Sequence, residues 1–295
     1  MLKGIEAAGF AWVQVHSPPR SVLVDRARAA LHARALRGAL DTAGLRLVLH
    51  GADDLSAGTP EHDRALDGLL DYAAATGAEL VVYHGANFPV ADGGEAAARM
   101  RDRQHAEAAS LRARVRRLER LGVTLAIENL APVWPGPPRL CHQPEVVRDL
   151  VLRLASARVR MLFDVGHAHI AADLAGGRAP DLLEAVRDQV GLFHVHDNLG
   201  ARTRGTGGSG LDPLRLDLHL PPGSGRVSWD ALAPVLLEGD VPLVLEVHPP
   251  NRPEPLSLAD VTSELLLHRR HAVSAARTTV SANRPAGARS SVPPG

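Results

Sequence analysis

Three carboxylates each close an apolar run: Glu128 in LAIEN, Asp164 in MLFDVGH and Glu246 in LVLEVHP. A carboxylate behind several buried apolar residues is costly unless it is paired or holds a metal. A structural salt bridge explains one such residue equally well. Three on separate strands would face one another, which only a cation or a shared proton makes tolerable. Imidazoles alternate with these acids. His50 and His84 each precede a glycine, His194 lies in FHVHDN, and His167 follows Asp164 by three residues. Asp217 and His219 are spaced Asp-x-His in LDLHLPPGSG. A lone histidine at a strand end is more often structural. Mixed His and carboxylate ligation, however, suits zinc, manganese, iron or cobalt, and suits calcium poorly. His16, His169, His196 and His248 fall near the same ends. They read either as contacts to the ligand shell or substrate, or as ordinary surface histidines.

These residues need elements to carry them. Seven β-rich runs occur at 11–16, 45–51, 79–85, 123–130, 159–167, 191–198 and 242–249. Each is continuously apolar rather than alternating, as strands buried on both faces of a parallel sheet are. Between them, 25–43, 61–76, 95–121, 144–154 and 181–189 carry apolar residues at helical spacing. Gly44, Gly77 and Gly122 stand where helices stop, and Pro60, Pro144 and Pro180 where they start. Repeated βα units fit a (β/α)8 barrel or an open doubly wound sheet. His, Asp or Glu closes nearly every strand, and a barrel gathers all those ends at one mouth, so a TIM barrel is expected. Only seven strands are counted, and MLKGIEAAGF before the first holds the end of a helix but not a strand as well. Either the first strand lies outside this sequence or the barrel is incomplete. The barrel is expected over 1–271. The segment 272–295, rich in Ala, Ser, Arg, Thr and Pro, reads as a disordered tail.

Composition narrows the function. Basic and acidic residues balance at 33 each, which argues against a broad phosphate-binding surface. Apolar residues make up 45% and aromatics 3%, so a sizeable core must be built from Leu, Val and Ala. The single cysteine, Cys141, excludes an intrachain disulfide framework. No apolar run is long enough to span a membrane, and no basic segment followed by an apolar stretch opens the chain. A cytoplasmic protein acting on a small molecule is expected, with neither nucleic acid nor membrane as partner. Segment 205–210 matches G-x-G-x-x-G, but no strand precedes it and no helix follows, so it reads as a loop. The Arg-rich segment 112–120 reads as the solvated face of a helix.

The motifs AIENL, FDVGHAHI, HVHDN, DLHLPPGSGRVSW and LVLEVHP, in this order, resemble the xylose isomerase-like TIM-barrel superfamily in its sugar phosphate isomerase/epimerase branch. That branch is similar in fold to endonuclease IV. The resemblance runs from about residue 9 to about residue 268. It implies one divalent metal (manganese, zinc, cobalt or iron) held by Glu128, Asp164, His194 and Glu246. Glu128 and Glu246 then serve as acid and base, with His167 near the substrate. Endonuclease IV-like enzymes add counterparts of His50, His84, His167, Asp217 and His219 to hold up to three zincs, and all nine positions are filled here. The function so implied is a metal-dependent isomerase or epimerase acting on a sugar, keto-sugar or cyclitol through an enediolate. The alternatives are a multinuclear phosphoester hydrolase or an iron-dependent oxidase. Substrate contacts are expected from His167, His196, Arg202 and Trp134, with specificity in loops 87–94, 131–143 and 199–213. Trp134 and Phe88 read as sugar-stacking groups or as loop anchors. Barrels of this type are often homo-oligomers.

Overall fold

The computed structural model describes residues 2–132, 138–201 and 216–248. Helix α1 (Leu2–Ala7) leads into β1 (Trp12–His16), followed by α2 (Arg20–Leu23) and α3 (Arg26–Ala43). Next come β2 (Arg46–His50), α4 (Pro60–Thr76), β3 (Leu80–Tyr83), α5 (Gly94–Leu121) and β4 (Thr124–Glu128). The chain continues through α6 (Pro144–Leu154), β5 (Val159–Asp164), α7 (Val165–Ala175), α8 (Ala179–Val186) and β6 (Val190–Val195). It closes with α9 (Trp229–Leu236) and β7 (Leu243–Leu245). The seven strands form one parallel sheet in chain order, with helices outside, as a TIM barrel requires. β7 comes back to β1 within 8 Å between Cα atoms, but the two share no ladder. Among the described residues there is no eighth strand, so the barrel is nearly closed.

The continuous apolar runs have a simple cause. Successive strand residues point to opposite faces. Val48, Leu80, Val82, Ala126, Leu162, Leu192 and Val244, with Trp12 against them, fill the barrel interior. Leu47, Leu49, Val81, Tyr83, Leu125, Ile127, Met161, Phe163, Phe193 and Val195 pack outward in the larger layer under the helices. Both faces are therefore dry. Stepping by two from the interior set reaches Gln14 and His16 on β1, then His50, His84, Glu128, Asp164, His194 and Glu246. The candidate ligands thus continue the inward-facing rows to the barrel's C-terminal mouth. A register shift where Met161 pairs with Val190 and Leu162 with Leu192 keeps β6 in step with β5 and sets Asp164 opposite His194.

Helix ends follow the expected chemistry. Asp25 caps α3 by accepting from Arg28 N, and Gly44, Gly77 and Gly122 take left-handed φ of 66°, 74° and 71°. One expectation is corrected in a way that matters for the site. Segment 159–167 is not one strand: β5 ends at Asp164, whose side chain accepts from His167 N at 2.7 Å and starts α7 at once. His167 therefore stands on the first turn of a helix over the mouth. The helix expected over 181–189 begins earlier, at Ala179, and ends in a 3-10 turn, Arg187–Gln189. The last strand is only three residues long, and α9, which contains Pro234, has no counterpart in the sequence reading. Trp134, Arg202, the glycine-rich segment 205–210 and the tail 272–295 lie outside the described residues. No helix among those described is long and apolar enough to cross a membrane.

Candidate metal centre

At the mouth, Glu128, Asp164, His194 and Glu246 each present a donor atom, all within 4.8 Å of one another. His194 Nδ1 lies 3.3 Å from Glu128 Oε1, 3.2 Å from Glu246 Oε1 and 3.6 Å from Asp164 Oδ2. Glu128, Asp164 and His194 are buried, and Glu246 keeps 17% of its side-chain surface. Glu128, Asp164 and His194 stand on β4, β5 and β6 and Glu246 just past the end of β7, so strand register and barrel curvature make them meet.

Two further groups flank this one. Glu128 Oε2 lies 3.2 Å from His84 Nε2 and 3.7 Å from His50 Nε2, so one carboxylate serves both sides. His50 Nδ1 donates to Gly51 O at 2.8 Å, which leaves Nε2 as its free lone pair. On the other flank Asp217 Oδ2 is 3.3 Å from His167 Nε2 and 3.2 Å from His219 Nε2. The opposite nitrogens of those rings are also engaged: His167 Nδ1 donates to Asn129 O at 3.0 Å and His219 Nδ1 to Glu246 O at 2.6 Å. Orientation of one ring nitrogen by a backbone carbonyl is the usual arrangement behind a metal-ligating histidine.

His196 is fully buried between the groups, with Nε2 3.1 Å from Asp164 Oδ1 and 3.8 Å from Asp217 Oδ1. Its ring stacks on His219 at 3.9 Å and 12°. With His167, Asp217 and His219, His196 forms a group whose donor atoms all lie within 4.8 Å of one another, so these four residues would be the ones to hold a cation on this flank. His248 stacks in turn on the outer face of His219 at 4.1 Å. His16 packs on His50 at 4.5 Å and, with the exposed Asp53, forms a fourth cluster at the rim. Asp53 was not singled out from the sequence, although it follows His50 by three residues. His169, on α7, lies beside the turn at Gly200.

The donor set fits a divalent cation. Glu128 Oε2, Asp164 Oδ2, Asp217 Oδ1 and both nitrogens of His196 are buried without a hydrogen-bond partner. Several have charged neighbours at short range, but not with hydrogen-bond alignment. Buried polar atoms in native proteins are otherwise satisfied. The electrostatics agree. Burial raises Glu128, but His194, with His50 and His84, more than offsets this and holds it well below the usual carboxylate range. Burial likewise raises Glu246, while His194 brings it down to about 2. Asp164 and Asp217 are lowered in the same way, with His167 their largest opposing influence. Burial lowers His194 and His167, but facing carboxylates drive both well above the ordinary imidazole value. Protons on these histidines thus supply the positive charge that a cation would supply at the same place.

The sequence reading missed the residues that hold these ligands in place. Asn129 donates to Asp164 O at 3.1 Å and accepts from Asp164 N at 3.0 Å, tying the ends of β4 and β5 together. Asp197, fully buried, accepts from Asn198 N, Gly223 N, Val227 N and the Trp229 indole at 2.8, 3.0, 3.1 and 2.8 Å. It also exchanges two backbone hydrogen bonds with Leu220, each 2.8 Å. That clamp fixes the segment after Asp217 and His219. Beneath His84, Glu107 accepts from Tyr83 Oη at 2.6 Å and from Ala86 N at 3.0 Å, holding Ala86 at a φ of 54°. Phe88 is buried with Arg103 over its ring, which makes it a loop anchor. Cys141 is a buried free thiol pushed up to about 12 by its burial, which removes it as a nucleophile near neutrality.

The fold is a barrel with groups of histidines and carboxylates at its mouth that could hold a metal, and a family model agrees with the fold. The model described as "Xylose isomerase-like TIM barrel" matches residues 2–266, and the chain belongs to this family. Among solved structures, a D-tagatose 3-epimerase-like protein is similar at 16% identity, with 94% of each chain covered and a TM-score of 0.63. The 3-keto-D-glucoside 4-epimerase of E. coli is 14% identical over 91% of this chain and 92% of its own, with a TM-score of 0.58. A protein from Thermus thermophilus, soaked with zinc chloride, is 24% identical over 91% and 92%, with a TM-score of 0.60. Identities this low establish a shared fold. No curated protein sequence matches the chain.

Proposed function

We propose that this chain is a divalent-metal-dependent isomerase or epimerase acting on a sugar, keto-sugar or cyclitol. The observation that carries the reading is the meeting of Glu128, Asp164, His194 and Glu246 at one point of the barrel mouth, with a glutamate on either side of His194 Nδ1. Solved structures that share the fold include sugar epimerases. When bound, a divalent cation at this point supplies Lewis-acid stabilisation of negative charge developing on substrate oxygens.

The chain's own residues supply the proton chemistry. Glu246 and Glu128 are both ionised near neutrality and so are able to accept a proton. Glu246 is the more open of the two, at 17% against 1% exposure, and is the group a substrate in the mouth meets first. It takes the proton from the carbon beside the substrate carbonyl, and the bonding electrons move toward the carbonyl oxygen. Return of the proton to the opposite face gives an epimer, and return to the former carbonyl carbon gives an isomer, the adjacent hydroxyl's proton passing to the former carbonyl oxygen as the new carbonyl forms. Glu128, enclosed by the four imidazoles of His50, His84, His167 and His194, is placed to act from the inner side. Proton exchange tests this: the wild type should wash solvent deuterium into the α-carbon of its substrate. Glu246→Gln and Glu128→Gln should each abolish it, and retained exchange in both variants removes them from the acid–base role.

A second reading, a multinuclear phosphoester hydrolase or iron-dependent oxidase, draws support from the flanking groups, His50–His84–Glu128 and His167–His196–Asp217–His219. Elemental analysis of protein purified without added metal separates the two. One ion per chain favours the isomerase, and two or three favour the multinuclear chemistry. In either reading the partner is a small molecule and the setting cytoplasmic.

A further inference from the structure

Among the described strands, β1 and β7 are neighbours that share no ladder. Glu246 sits just beyond β7, a strand of three residues; its N–H donates to Val195 O at 3.2 Å and its carbonyl accepts from His219 Nδ1 at 2.6 Å, which fix the backbone but not the carboxylate. Across that seam stands Gln14, in the inward-facing row of β1. Its Nε2 donates to Glu246 Oε1 at 2.5 Å, and its Oε1 accepts from His194 Nε2 at 2.8 Å. The orientation of this amide is dictated by its partners. Reversed, it would set an oxygen against the Glu246 carboxylate and an amino group against the His194 N–H.

We propose that Gln14 is a positioning residue of the metal centre, orienting both His194 and Glu246 from across the unpaired seam. The inference rests on the metal-dependent reading above. By accepting from Nε2, Gln14 keeps the proton on that nitrogen, so the proton His194 would give up to a cation is the one on Nδ1, which faces Glu128, Glu246 and Asp164. By donating to one oxygen of Glu246, it sets the carboxylate that its own strand does not. No other neutral side chain of this length offers both a donor and an acceptor. A carboxylate there would oppose Glu246, and an apolar group would leave two buried polar atoms unmet.

The test measures zinc affinity by chelator competition, together with the tautomer of His194 by nitrogen-15 NMR of histidine-labelled, zinc-loaded protein. Gln14→Met should weaken zinc binding roughly 10- to 100-fold, the usual cost of losing such a partner. It should also lose the narrow Nε2–H signal of His194. Gln14→Glu keeps the acceptor and should keep that signal, while shifting zinc affinity through its charge against Glu246. A folded Gln14→Met protein with wild-type zinc affinity and an unchanged His194 signal overturns the proposal. If that variant does not fold, Gln14→Glu decides: zinc affinity equal to wild type at every pH overturns the proposal equally. Failure of the wild type to bind any divalent cation is a different result, and it overturns the metal-dependent reading beneath.

Discussion

Asn129 grips Asp164 by both backbone groups, donating to its carbonyl at 3.1 Å and accepting from its N–H at 3.0 Å. The residue after one candidate ligand thus sets the backbone of the next, and the carbonyl of Asn129 orients a third, His167. Asn129→Ala removes both bonds and strands buried polar groups on Asp164. It should cost about 1–3 kcal/mol of stability and weaken metal binding as well. Urea unfolding with and without zinc checks both effects. A stability loss without a change in zinc affinity would show that the grip supports the fold alone.

Asp197 is the hub of the segment after His219. Its carboxylate accepts four hydrogen bonds, so Asn in its place turns one acceptor into a donor aimed at another donor. Asp197→Asn should lose about 2 kcal/mol or more and release the loop that carries Asp217 and His219. Denaturant unfolding reads the first effect. Metal stoichiometry reads the second, with ions at the central group retained and any at the Asp217 group lost.

Metal uptake should depend on pH in a defined direction. Burial works against a charged His194 or His167, but the carboxylates opposite hold both well above 6.5, so both rings carry protons near neutrality in the ion-free protein. A cation must displace those protons, so affinity should fall as pH is lowered and binding should release protons to buffer. Calorimetry in buffers of different ionisation enthalpy measures that release. The lowered Glu246 acts on the ion-free fold in the same direction: its contribution is present above 4.5 and is lost as pH falls toward about 2.

Glu107 reverses that pattern, because burial raises it to about 7 from 4.5. A raised carboxyl favours the fold below its unfolded value, and that advantage is lost as pH climbs through the folded one. Stability should therefore decline by up to about 3 kcal/mol between those limits. Glu107→Gln, which cannot ionise, should flatten the decline. Thermal unfolding across that pH range provides the check.

Cys141 should be inert. Buried and pushed up to about 12, the thiol should resist alkylation in the native protein and react only after unfolding. Rapid labelling of the folded chain would contradict its packing against the loop that starts α6.

Much of this was legible along the chain. The apolar runs located the seven described strands, and Gly44, Gly77 and Gly122 ended helices in left-handed turns that glycine adopts without strain. The acids and histidines that close the strands were readable as candidates because a charge behind a dry run demands an explanation wherever it occurs. Local signals of this kind need only neighbours in sequence. Other features depended on residues far apart. Asp164 served at once as strand end and helix cap, so the boundary between β5 and α7 was hidden inside one apolar run. Gln14, Asn129, Asp197 and Glu107 looked like ordinary polar residues because their partners lie tens to hundreds of positions away. The alternation of faces along a strand dictates which side chains point inward. Which of them touch, and which ring nitrogen is left to face a cation, depends on strand register and on how β7 closes against β1, and those emerge only when the whole barrel packs.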